Sequence, residues 1–278
     1  MTVTFESPRS LSTLLQQLRT QGVDRIIVVD NSLDPIALQQ NRRNCESASA
    51  VHIVCNRNLG PAGAYAIGLA NALGTNCKYI LAIDDDCLLP TSFIDEARRA
   101  VQEDCILHPA VVETTDGQRL SYHGWVGVVI PRTAIVKMGL PIWDLIWWTE
   151  DTEYIYWRLP QGGYPLRRFG TEVVRVHKKR AAGRPAWKYY YEARNTVYFR
   201  LHVQAMNKLL IRPRHRRRYV RAFRALRSTL KLLFLAIGSG PGRYSKCQAV
   251  VRGTWDGLWG QLGARYPIEG GDRPVVME

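Results

Sequence analysis

Three consecutive carboxylates, Asp84, Asp85 and Asp86, follow directly on an apolar run at residues 80–83. An apolar run of this length, entered from Tyr79, predicts a buried strand of a parallel sheet. Ligands of open α/β sheets bind outside the carboxyl ends of the strands, so the three acids are expected where a metal ion and a phosphorylated ligand would bind. A solvated acidic turn is the alternative, because Asp is common in turns and adjacent acids repel each other.

A second acid-rich segment, residues 141–154, holds three tryptophans and four acids. Aromatic faces beside carboxylates suit a sugar pocket, because sugar C–H faces stack on rings while hydroxyls need acceptors. Trp147, Trp148 and Glu153 are the candidate pocket residues. A hydrophobic core segment that precedes a charged helix start is an equally good interpretation of this segment taken alone.

The elements that must position these acids follow an alternating pattern. Strands are predicted at residues 2–5, 26–29, 51–54 and 80–83, with helices between them, one beginning near Ser10 and another running from about Ala64 to Leu73. Four strands alternating with helices within ninety residues predict a doubly wound α/β sheet. A G-x-x-G match at Gly60 and Gly63 follows the third strand rather than the first, so we do not interpret it as a dinucleotide-binding fingerprint.

Beyond residue 90 the pattern predicts a helix at 93–101 and strands near 110–112, 125–130 and 173–177. A basic helix from Arg214 to Ile237 carries Phe223, Leu226, Leu230 and Phe234 at spacings of three or four residues. Such a helix fits the surface of an anionic membrane, although an amphipathic helix packed on the catalytic domain has the same pattern.

Size and charge restrict the class of protein. The chain has 278 residues, is 46% hydrophobic and can therefore bury a large core, as one domain or a domain with an appendage. Its formal net charge is +14, and residues 167–231 contain 20 of the 38 Lys and Arg residues. Such asymmetry indicates an anionic partner. We expect residues 1–200 to form the catalytic domain and residues 201–278 a basic, amphipathic helical region.

The six cysteines show no zinc-type spacing, so reduced, mostly buried thiols are expected. The amino terminus lacks a basic start followed by an apolar core, so no signal peptide is predicted. The longest apolar stretch near the end, residues 232–237, is far shorter than the roughly 20 residues that a membrane span requires. We therefore expect a cytoplasmic protein, peripheral on the inner face of the cell membrane.

The order of these motifs resembles that of family 2 glycosyltransferases, which are inverting enzymes of the GT-A fold, and most of all the rhamnosyl- and galactofuranosyl-transferase group. No single motif is diagnostic, but together they span about two thirds of the chain. In order they are TVTFESP, DNSLD, NRNLGPAGAYAIGLA, DDD, WWTEDTEYIYWRL, a single histidine at position 177, and YYYEARN.

The resemblance implies a role for each matching residue. Asp30 would contact the nucleotide base, and Asp85 would lie near the ribose or the sugar. Asp84 and Asp86, with His177, would hold a Mn²⁺ or Mg²⁺ ion on the donor diphosphate. Asp151 would be the base that deprotonates the acceptor hydroxyl, with Glu150 beside it. The remaining donor-binding candidates are Thr4, Phe5, Asn58 and Gly60.

The chemistry of glycosyl transfer asks for such a set of residues. Displacing a nucleoside diphosphate from an anomeric carbon builds oxocarbenium character on the sugar and negative charge on the leaving group. A hard cation takes carboxylate ligands and neutralises that charge, while imidazole is tolerated better by Mn²⁺. The acceptor hydroxyl needs a carboxylate on the opposite face of the sugar, and a single base with no enzyme nucleophile predicts inversion.

One position departs from the family pattern. The common TFNRP motif reads Thr4-Phe5-Glu6-Ser7-Pro8 in this chain. The family's arginine often meets the donor phosphates, and Ser7 cannot replace its charge. Donor affinity or donor choice is therefore expected to differ, unless Arg9 or a downstream basic residue takes over that contact.

The resemblance predicts a metal-dependent transferase that moves a sugar from a UDP- or dTDP-sugar donor to a hydroxyl of a glycan or lipid-linked acceptor, which is membrane-linked or on the cell surface. Two other classes compete with it. A nucleic-acid-binding protein would use the basic, Tyr-rich second half, but the acids at strand ends would repel the phosphate backbone, so we expect no nucleic-acid partner. A sugar nucleotidyltransferase would need a glycine-rich, basic loop after the first strand, and residues 6–9 do not supply one.

Overall fold

The computed structural model describes residues 1–23, 25–114, 119–120, 124–176, 184–206 and 215–266. The chain divides into two units. The first comprises Met1–Trp143 and Tyr154–Lys179, and the second comprises Asp144–Glu153 and Arg180–Glu278. The acidic triplet at positions 84–86 thus belongs to the first unit, and the acid-rich segment around Asp151 to the second.

A mixed nine-stranded sheet forms the first unit, with strand order β3-β2-β1-β4-β8-β6-β9-β5 and with β7 paired to β6. The strands are β1 (Thr2–Thr4), β2 (Ile27–Asp30), β3 (Val51–Val54), β4 (Tyr79–Asp84), β5 (Cys87–Leu88), β6 (Ile106–Glu113), β7 (Arg119–Leu120), β8 (Val128–Pro131) and β9 (Leu166–Arg175). Strands β3, β2, β1 and β4 pair in parallel, so their carboxyl ends lie along one edge of the sheet.

Helices cover both faces of this sheet. They are α1 (Pro8–Thr20), α2 (Pro35–Ser47), α3 (Gly60–Leu73), α4 (Phe93–Ala100), α5 (Arg132–Met138) and α7 (Leu159–Gln161), with a π-helical turn at Tyr154–Arg158. Leucines at helical spacing on α1 pack with Val28 of β2 in one core, while Tyr65 of α3 packs with the neighbouring Val29 in a second core. Because successive strand residues point to opposite faces, β2 contributes side chains to both cores. The predicted α/β fold with a mixed sheet is confirmed.

Several element boundaries differ from the sequence-based expectation, and three of these differences have a local cause. Helix α1 begins at Pro8 rather than near Ser10, since proline is well suited to the first position of a helix. Helix α3 likewise begins at Gly60, with Pro61 in its first turn. Strand β8 begins only at Val128, because Gly127 has a φ of 72° and cannot continue an extended strand.

Helix α2 is one of several helices whose positions were not predicted. Helix α2 is mostly polar, so hydrophobic periodicity gives little signal for it. Its start is set by Asp34, whose carboxylate accepts hydrogen bonds from the backbone N–H groups of Ile36 and Ala37. The predicted strand at 173–177 is the end of β9, and His177 itself lies outside the described residues.

The second unit is helical. It contains α6 (Glu150–Glu153), α8 (Ala186–Tyr198), a π-helical turn (Phe199–Val203), α9 (Gln204–Met206), α10 (His215–Ile237) and α11 (Arg243–Leu258), and a 3-10 turn at Trp143–Leu145 leads into it. Helices α8, α10 and α11 share a core that contains Trp187, Tyr190, Leu232 and Val250. Helix α8 thus belongs to this unit, so the expected boundary between residues 200 and 201 falls inside the second unit.

Close contact between α8 and α11 depends on two glycines four residues apart. A Cβ at Gly253 would lie 2.3 Å from the carbonyl oxygen of Tyr190, and one at Gly257 would lie 2.4 Å from that of Arg194. Both distances are below any real contact between these atoms, so α11 can approach the α8 backbone only where it carries no side chain.

All six cysteines lie in described parts of the chain as free thiols, of which Cys45, Cys87 and Cys105 are buried and the other three half-buried. Burial raises the pKa of the Cys45 thiol to about 12. Among the described helices, none combines the length and the apolar character needed to cross a membrane.

Candidate active site

The loops that follow β1, β2 and β3 are tied to one another by hydrogen bonds at the carboxyl edge of the sheet. Glu6, after β1, accepts hydrogen bonds from the backbone N–H groups of Leu33 (2.8 Å) and Asp34 (3.0 Å), after β2. Asn31 donates from its side chain to the carbonyl oxygen of Gly60 (3.0 Å), after β3. The three loops therefore form one connected rim, which is where a doubly wound fold binds its ligand.

The other predicted donor-binding residues of this rim, Asn58, Gly60 and Phe5, take part in local contacts that shape the loops. Asn58 accepts a hydrogen bond from the backbone N–H of Gly60 (2.9 Å), which turns the chain into helix α3. Gly60 has a φ of 67°, a conformation that favours glycine. Phe5 is half-buried, and its carbonyl oxygen accepts a hydrogen bond from the hydroxyl of Ser7 (3.0 Å).

Asp30, the predicted base-contacting residue, is fully buried. One carboxylate oxygen accepts a hydrogen bond from the Ser32 N–H (2.9 Å), and the other contacts Asn41 Nδ2 (2.9 Å) and His52 Nε2 (2.9 Å). Burial alone would raise the pKa of Asp30, but these hydrogen bonds outweigh it, and the pKa is lowered. A nucleobase would have to displace one of these partners, so direct base contact remains a prediction.

The three carboxylates at the carboxyl end of β4 are held by side chains of neighbouring elements. The hydroxyl of Tyr65, on α3, donates to Asp84 Oδ1 (2.6 Å), and the hydroxyl of Thr4, at the end of β1, donates to Asp85 Oδ2 (2.6 Å). Thr4 is itself buried, and its hydrogen bond holds the Asp85 carboxylate in place. The ring of Tyr65 stacks on Trp125 with centroids 4.1 Å apart, which fixes the tyrosine.

Arg175, the last residue of β9, forms ion pairs with two acids of this triplet, Asp84 and Asp86. Its Nη2 lies 3.1 Å from Asp84 Oδ2, and its Nε lies 3.2 Å from Asp86 Oδ2. All three side chains are about one quarter exposed. One guanidinium therefore neutralises part of the charge of two carboxylates at the edge of the crevice.

The pKa values reflect this crowding. Burial raises the pKa of Asp84, an effect that Arg175 opposes. Burial, with repulsion from Asp86 and Asp84, raises the pKa of Asp85 to about 7, although the Thr4 hydroxyl opposes the change. The cluster thus carries more negative charge than its surroundings stabilise, and an additional cation would be bound favourably there.

The donor set also fits a hard divalent cation. Asp84 and Asp86 already converge on one positive group, and carboxylate oxygens are the ligands that Mg²⁺ and Mn²⁺ accept. Such an ion would have to bind these carboxylates together with the Arg175 guanidinium or displace it. Within the described part of the chain, no three His, Cys, Asp or Glu side chains are grouped to hold a metal. The third predicted ligand, His177, lies outside that part.

In the second unit, burial distinguishes the three acids of helix α6. Glu150 is 5% exposed and Glu153 is 1% exposed, whereas Asp151 is half-buried. The backbone N–H and the hydroxyl of Thr152 both donate to Asp151 Oδ1, at 2.6 Å and 3.2 Å. Asp151 is therefore the acid best placed to meet a substrate. Glu153, predicted to line the acceptor pocket, is thus buried, and its role in that pocket remains a prediction.

The segment that leads into α6 has a strained backbone. Ile146, Trp148 and Thr149 have φ values of 63°, 71° and 76°, in the left-handed region that non-glycine residues rarely occupy. Each such residue costs about 1–3 kcal/mol, so the surrounding structure must enforce this conformation.

Two buried polar residues of α8 bind the same segment. The side-chain amide nitrogen of Asn195 lies 2.8 Å from each of three carbonyl oxygens, those of Leu145, Trp147 and Trp148. Nη2 of Arg194 donates to the carbonyl oxygens of Asp144 (2.9 Å) and Leu145 (3.0 Å). We call Arg194 and Asn195 the carbonyl clamp. Both residues are 0% exposed.

The predicted pocket tryptophans differ in exposure. Trp148 is 43% exposed, while Trp147 is partly buried and meets Trp187 edge to face with centroids 5.2 Å apart. The guanidinium of Arg184 lies 5.6 Å from the ring centroid of Trp148. Trp148 is therefore the tryptophan of this pair that offers a surface for a sugar ring, whereas Trp147 mainly packs in the core.

Sequence reasoning missed four residues of these two clusters. Tyr65 and Arg175 contact the acidic triplet, and Arg194 and Asn195 contact the segment before Asp151. The position of Arg175, two residues before the histidine expected to bind the metal, was the available signal for that residue. The YYYEARN motif contains the carbonyl clamp, but the residue types of the motif do not indicate which backbone carbonyls the clamp binds.

Comparison with known proteins first defines the fold. Mannosyltransferase PcManGT from Pyrobaculum calidifontis, solved with GDP-Man and Mn²⁺, superposes with a TM-score of 0.55 at 13% identity, over 94% of this chain and 86% of that chain. TarS residues 1–349 from S. aureus superposes with a TM-score of 0.53 at 12% identity, over 94% and 90%. Its complex with UDP gives a TM-score of 0.51 at 12% identity, over 98% and 94%. The chain therefore has the fold of these transferases.

The sequence then identifies the family. The profile of glycosyl transferase family 2 matches residues 4–158, more than half of the chain. The chain belongs to glycosyl transferase family 2, and the family assignment made from its motifs is confirmed. A search of curated protein sequences finds no match. The narrower rhamnosyl- and galactofuranosyl-transferase grouping remains a prediction.

Proposed function

We propose that this protein is a metal-dependent inverting glycosyltransferase, which moves a sugar from a nucleotide-diphospho-sugar to a hydroxyl of a glycan or lipid-linked acceptor. The observation that carries the proposal is the convergence of Asp84 and Asp86 on a single cationic group at the carboxyl end of β4. A site built to concentrate carboxylates around one positive charge suits a ligand whose diphosphate arrives with a divalent cation. Membership of glycosyl transferase family 2 supports glycosyl transfer as the reaction.

The rim formed by the loops after β1, β2 and β3 would bind the nucleoside. Its backbone is pinned by Glu6, Asn31 and Asn58, so the crevice is preorganised before a ligand enters. Asp85, held by Thr4, would meet the ribose or the sugar. PcManGT was solved with GDP-Man and Mn²⁺, and TarS with UDP and with UDP-GlcNAc, which supports a nucleotide-sugar donor here.

Asp84 and Asp86, with His177, would hold Mn²⁺ or Mg²⁺, which would neutralise charge on the leaving diphosphate. Arg175 already places a positive charge at the same carboxylates, and it would contribute to the same neutralisation. Asp151 would accept the proton of the attacking hydroxyl, because it is the accessible acid of α6. A base without an enzyme nucleophile leads to inversion at the anomeric carbon.

The proposal is tested by calorimetric titration of UDP-, GDP- and dTDP-sugars into the purified protein, with Mn²⁺ and again with EDTA. At least one donor should bind, and it should bind at least tenfold more tightly with Mn²⁺. Asp86→Asn should lose that difference, whereas Asp95→Asn should keep it, because Asp95 is an exposed acid of α4 that pairs with Arg98. A donor affinity that changes neither with Mn²⁺ nor with Asp86→Asn would contradict the metal assignment.

We further propose that helix α10 contacts an anionic membrane surface, which would bring the enzyme to a lipid-linked acceptor. The face of α10 that packs within its unit is made of small and aliphatic residues, including Ala225, Leu232 and Ala236. On the remaining surface, Phe223, Leu226, Leu230 and Phe234 are between 46% and 74% exposed.

Charge supports a lipid surface rather than a second copy of the chain. Arg224, Arg227 and Lys231 are exposed on α10 within one turn of the apolar residues. A symmetric contact between two copies would bring these cations together, whereas anionic headgroups would pair with them. Aromatic and aliphatic side chains flanked by cations are typical of a helix that lies in the membrane interface.

Vesicle sedimentation tests this contact. Phosphatidylcholine vesicles that contain phosphatidylglycerol should bind the wild-type protein at least tenfold better than pure phosphatidylcholine. Phe223→Ser combined with Phe234→Ser should abolish most of the binding, while Val251→Ser, an exposed apolar position on α11, should not. Equal binding to both kinds of vesicle would contradict the electrostatic part of the proposal.

A further inference from the structure

The segment before Asp151 combines strain with an unusual number of side-chain contacts to its backbone. Three of its residues, Ile146, Trp148 and Thr149, have positive φ values. A β-branched or bulky residue in this region is a true outlier, and such outliers persist only where the surrounding structure determines them. Residues 144–149 therefore need a source of stabilisation other than their own conformational preference.

The carbonyl clamp supplies that stabilisation. One amide nitrogen, on Asn195, approaches three carbonyl oxygens of the segment, and one guanidinium nitrogen, on Arg194, approaches two. Nε of Arg194 also donates to Asn195 Oδ1 (2.8 Å), which orients the amide so that its N–H groups face the segment. Both side chains are fully buried, so water cannot take over these bonds.

The clamp is itself held rigidly. Arg194 donates a further hydrogen bond to the carbonyl oxygen of Gly263, and its guanidinium lies 4.8 Å from the ring centroid of Tyr191. Gly257 also lets α11 pack directly against the backbone at Arg194. A buried arginine fixed on several sides is a costly feature, and here its fixed N–H groups face the backbone of the segment that carries Asp151.

From this geometry we propose that Arg194 and Asn195 are positioning residues for catalysis, which hold residues 144–149 so that Asp151 stands in its working place. The inference rests on the proposed role of Asp151 as the base. Both clamp residues are buried and act through the backbone. The Thr149 carbonyl oxygen accepts the Glu153 N–H (2.7 Å), so the orientation of the strained segment sets that of α6. A small displacement of the Asp151 carboxylate should lower the turnover rate, because proton transfer depends on its position, but should leave donor binding intact.

Two variants and one control test the clamp. Asn195→Ala removes every contact of the amide, and Asn195→Ser is a milder change that keeps one donor if the alanine variant does not fold. Tyr191→Phe is the matched control, because it removes one hydrogen bond, to the Tyr266 carbonyl oxygen, from the same helix without touching the segment. Hydrogen–deuterium exchange of the peptide that covers residues 144–153 should rise at least tenfold in the Asn195 variants and stay unchanged in Tyr191→Phe. Unchanged exchange in the Asn195 variants would overturn the clamp, whatever the protein catalyses.

Kinetics test the positioning role. Turnover should fall at least tenfold in Asn195→Ala, with donor affinity within twofold of wild type, and Asn195→Ala should add nothing when Asp151 is already Asn. Full additivity in that double variant, or equal losses in donor affinity and turnover, would make the clamp merely structural. If Asp151→Asn alone keeps full turnover, the base assignment fails, and the catalytic role of the clamp fails with it, while the exchange result still decides whether the clamp holds the segment.

Discussion

Nη2 of Arg175 lies 3.1 Å from Oδ2 of Asp84, across a separation of 91 residues in the chain. The same guanidinium reaches Asp86 through its Nε, so the strand β9 closes the acidic cluster that β4 begins. This ion pair means that the cluster is partly neutralised before any metal or donor binds. A divalent cation must compete with Arg175 for the same oxygens.

We therefore expect Arg175→Gln to bind Mn²⁺ roughly tenfold more tightly, because the loss of an adjacent positive charge is worth about one pKa unit or more. Electron paramagnetic resonance of free Mn²⁺ measures this affinity without reference to activity. Arg168→Gln, an exposed position on the same strand, should leave it unchanged. Weaker Mn²⁺ binding by Arg175→Gln would mean that the arginine supports the metal site instead of competing with it.

Asp151→Asn should lower turnover by the factor of ~10²–10⁴ that is typical of a lost general base. Donor affinity should survive, because the amide has the same shape and the donor is proposed to bind in the other unit. Calorimetry and acceptor-dependent turnover on one variant measure both quantities. A loss of donor affinity as large as the loss of rate would make Asp151 a binding residue.

The buried carboxylate of Asp30 should make stability depend on pH. Its folded-state pKa is lowered by the hydrogen bonds from His52, Ser32 and Asn41. The ionised form therefore adds stability above the unfolded pKa of about 3.9, and this stability is lost as the pH falls through the lower, folded value. Asp30→Asn should cost about 1–3 kcal/mol at pH 7.

Urea unfolding between pH 3 and pH 7 checks this expectation. The difference between Asp30→Asn and wild type should shrink on acidification, because the wild-type carboxylate is then protonated too. Asp95→Asn, which changes an exposed acid of α4, provides the control at each pH. A difference that grows as the pH falls would contradict the assignment of Asp30 as an ionised, stabilising group.

Much of the first unit follows from the sequence because its signals are local. The apolar runs that become β2 and β4 are largely buried strands, and the acids at the end of β4 lie at the carboxyl edge of the sheet. Helix α2 was missed because its exposed, polar surface gives almost no periodic signal. Its start depends on Asp34 as a cap rather than on a hydrophobic pattern.

The contacts that complete the two clusters could not be predicted, because they join distant positions. Arg175 and Asp86 are separated by 89 residues, and Asn195 and Trp148 by 47. The positive φ values at Ile146 and Thr149 run against the preferences of β-branched residues, so a local rule predicts the opposite conformation. Such departures occur where tertiary contacts outweigh local preference, and here those contacts come from the carbonyl clamp.

The packing of α11 on α8 gives a prediction about stability. Gly257→Ala would place a methyl group 2.4 Å from the carbonyl oxygen of Arg194, and a backbone oxygen cannot move aside without shifting the helix. We expect a loss of about 1–3 kcal/mol in the free energy of unfolding, as for other overpacked sites. Gly238→Ala is the control, because its nearest atom would be 3.5 Å away. Equal stability of the two variants, measured by urea unfolding, would contradict this description of the helix contact.

The most direct test of the proposed function is the hydrolysis of a nucleotide sugar that binds, in which water takes the sugar in place of the acceptor and nucleoside diphosphate is released. It is measured with Mn²⁺ for the wild-type protein, Asp86→Asn and Asp151→Asn side by side. The wild-type protein should release the diphosphate, and each variant should do so at least a hundredfold more slowly, Asp86→Asn with weakened donor binding and Asp151→Asn with donor binding preserved. If Asp86→Asn and Asp151→Asn both release the diphosphate at the wild-type rate, or if the wild-type protein releases none from any donor that binds, then the acids of β4 and α6 do not form the machinery of a glycosyltransferase.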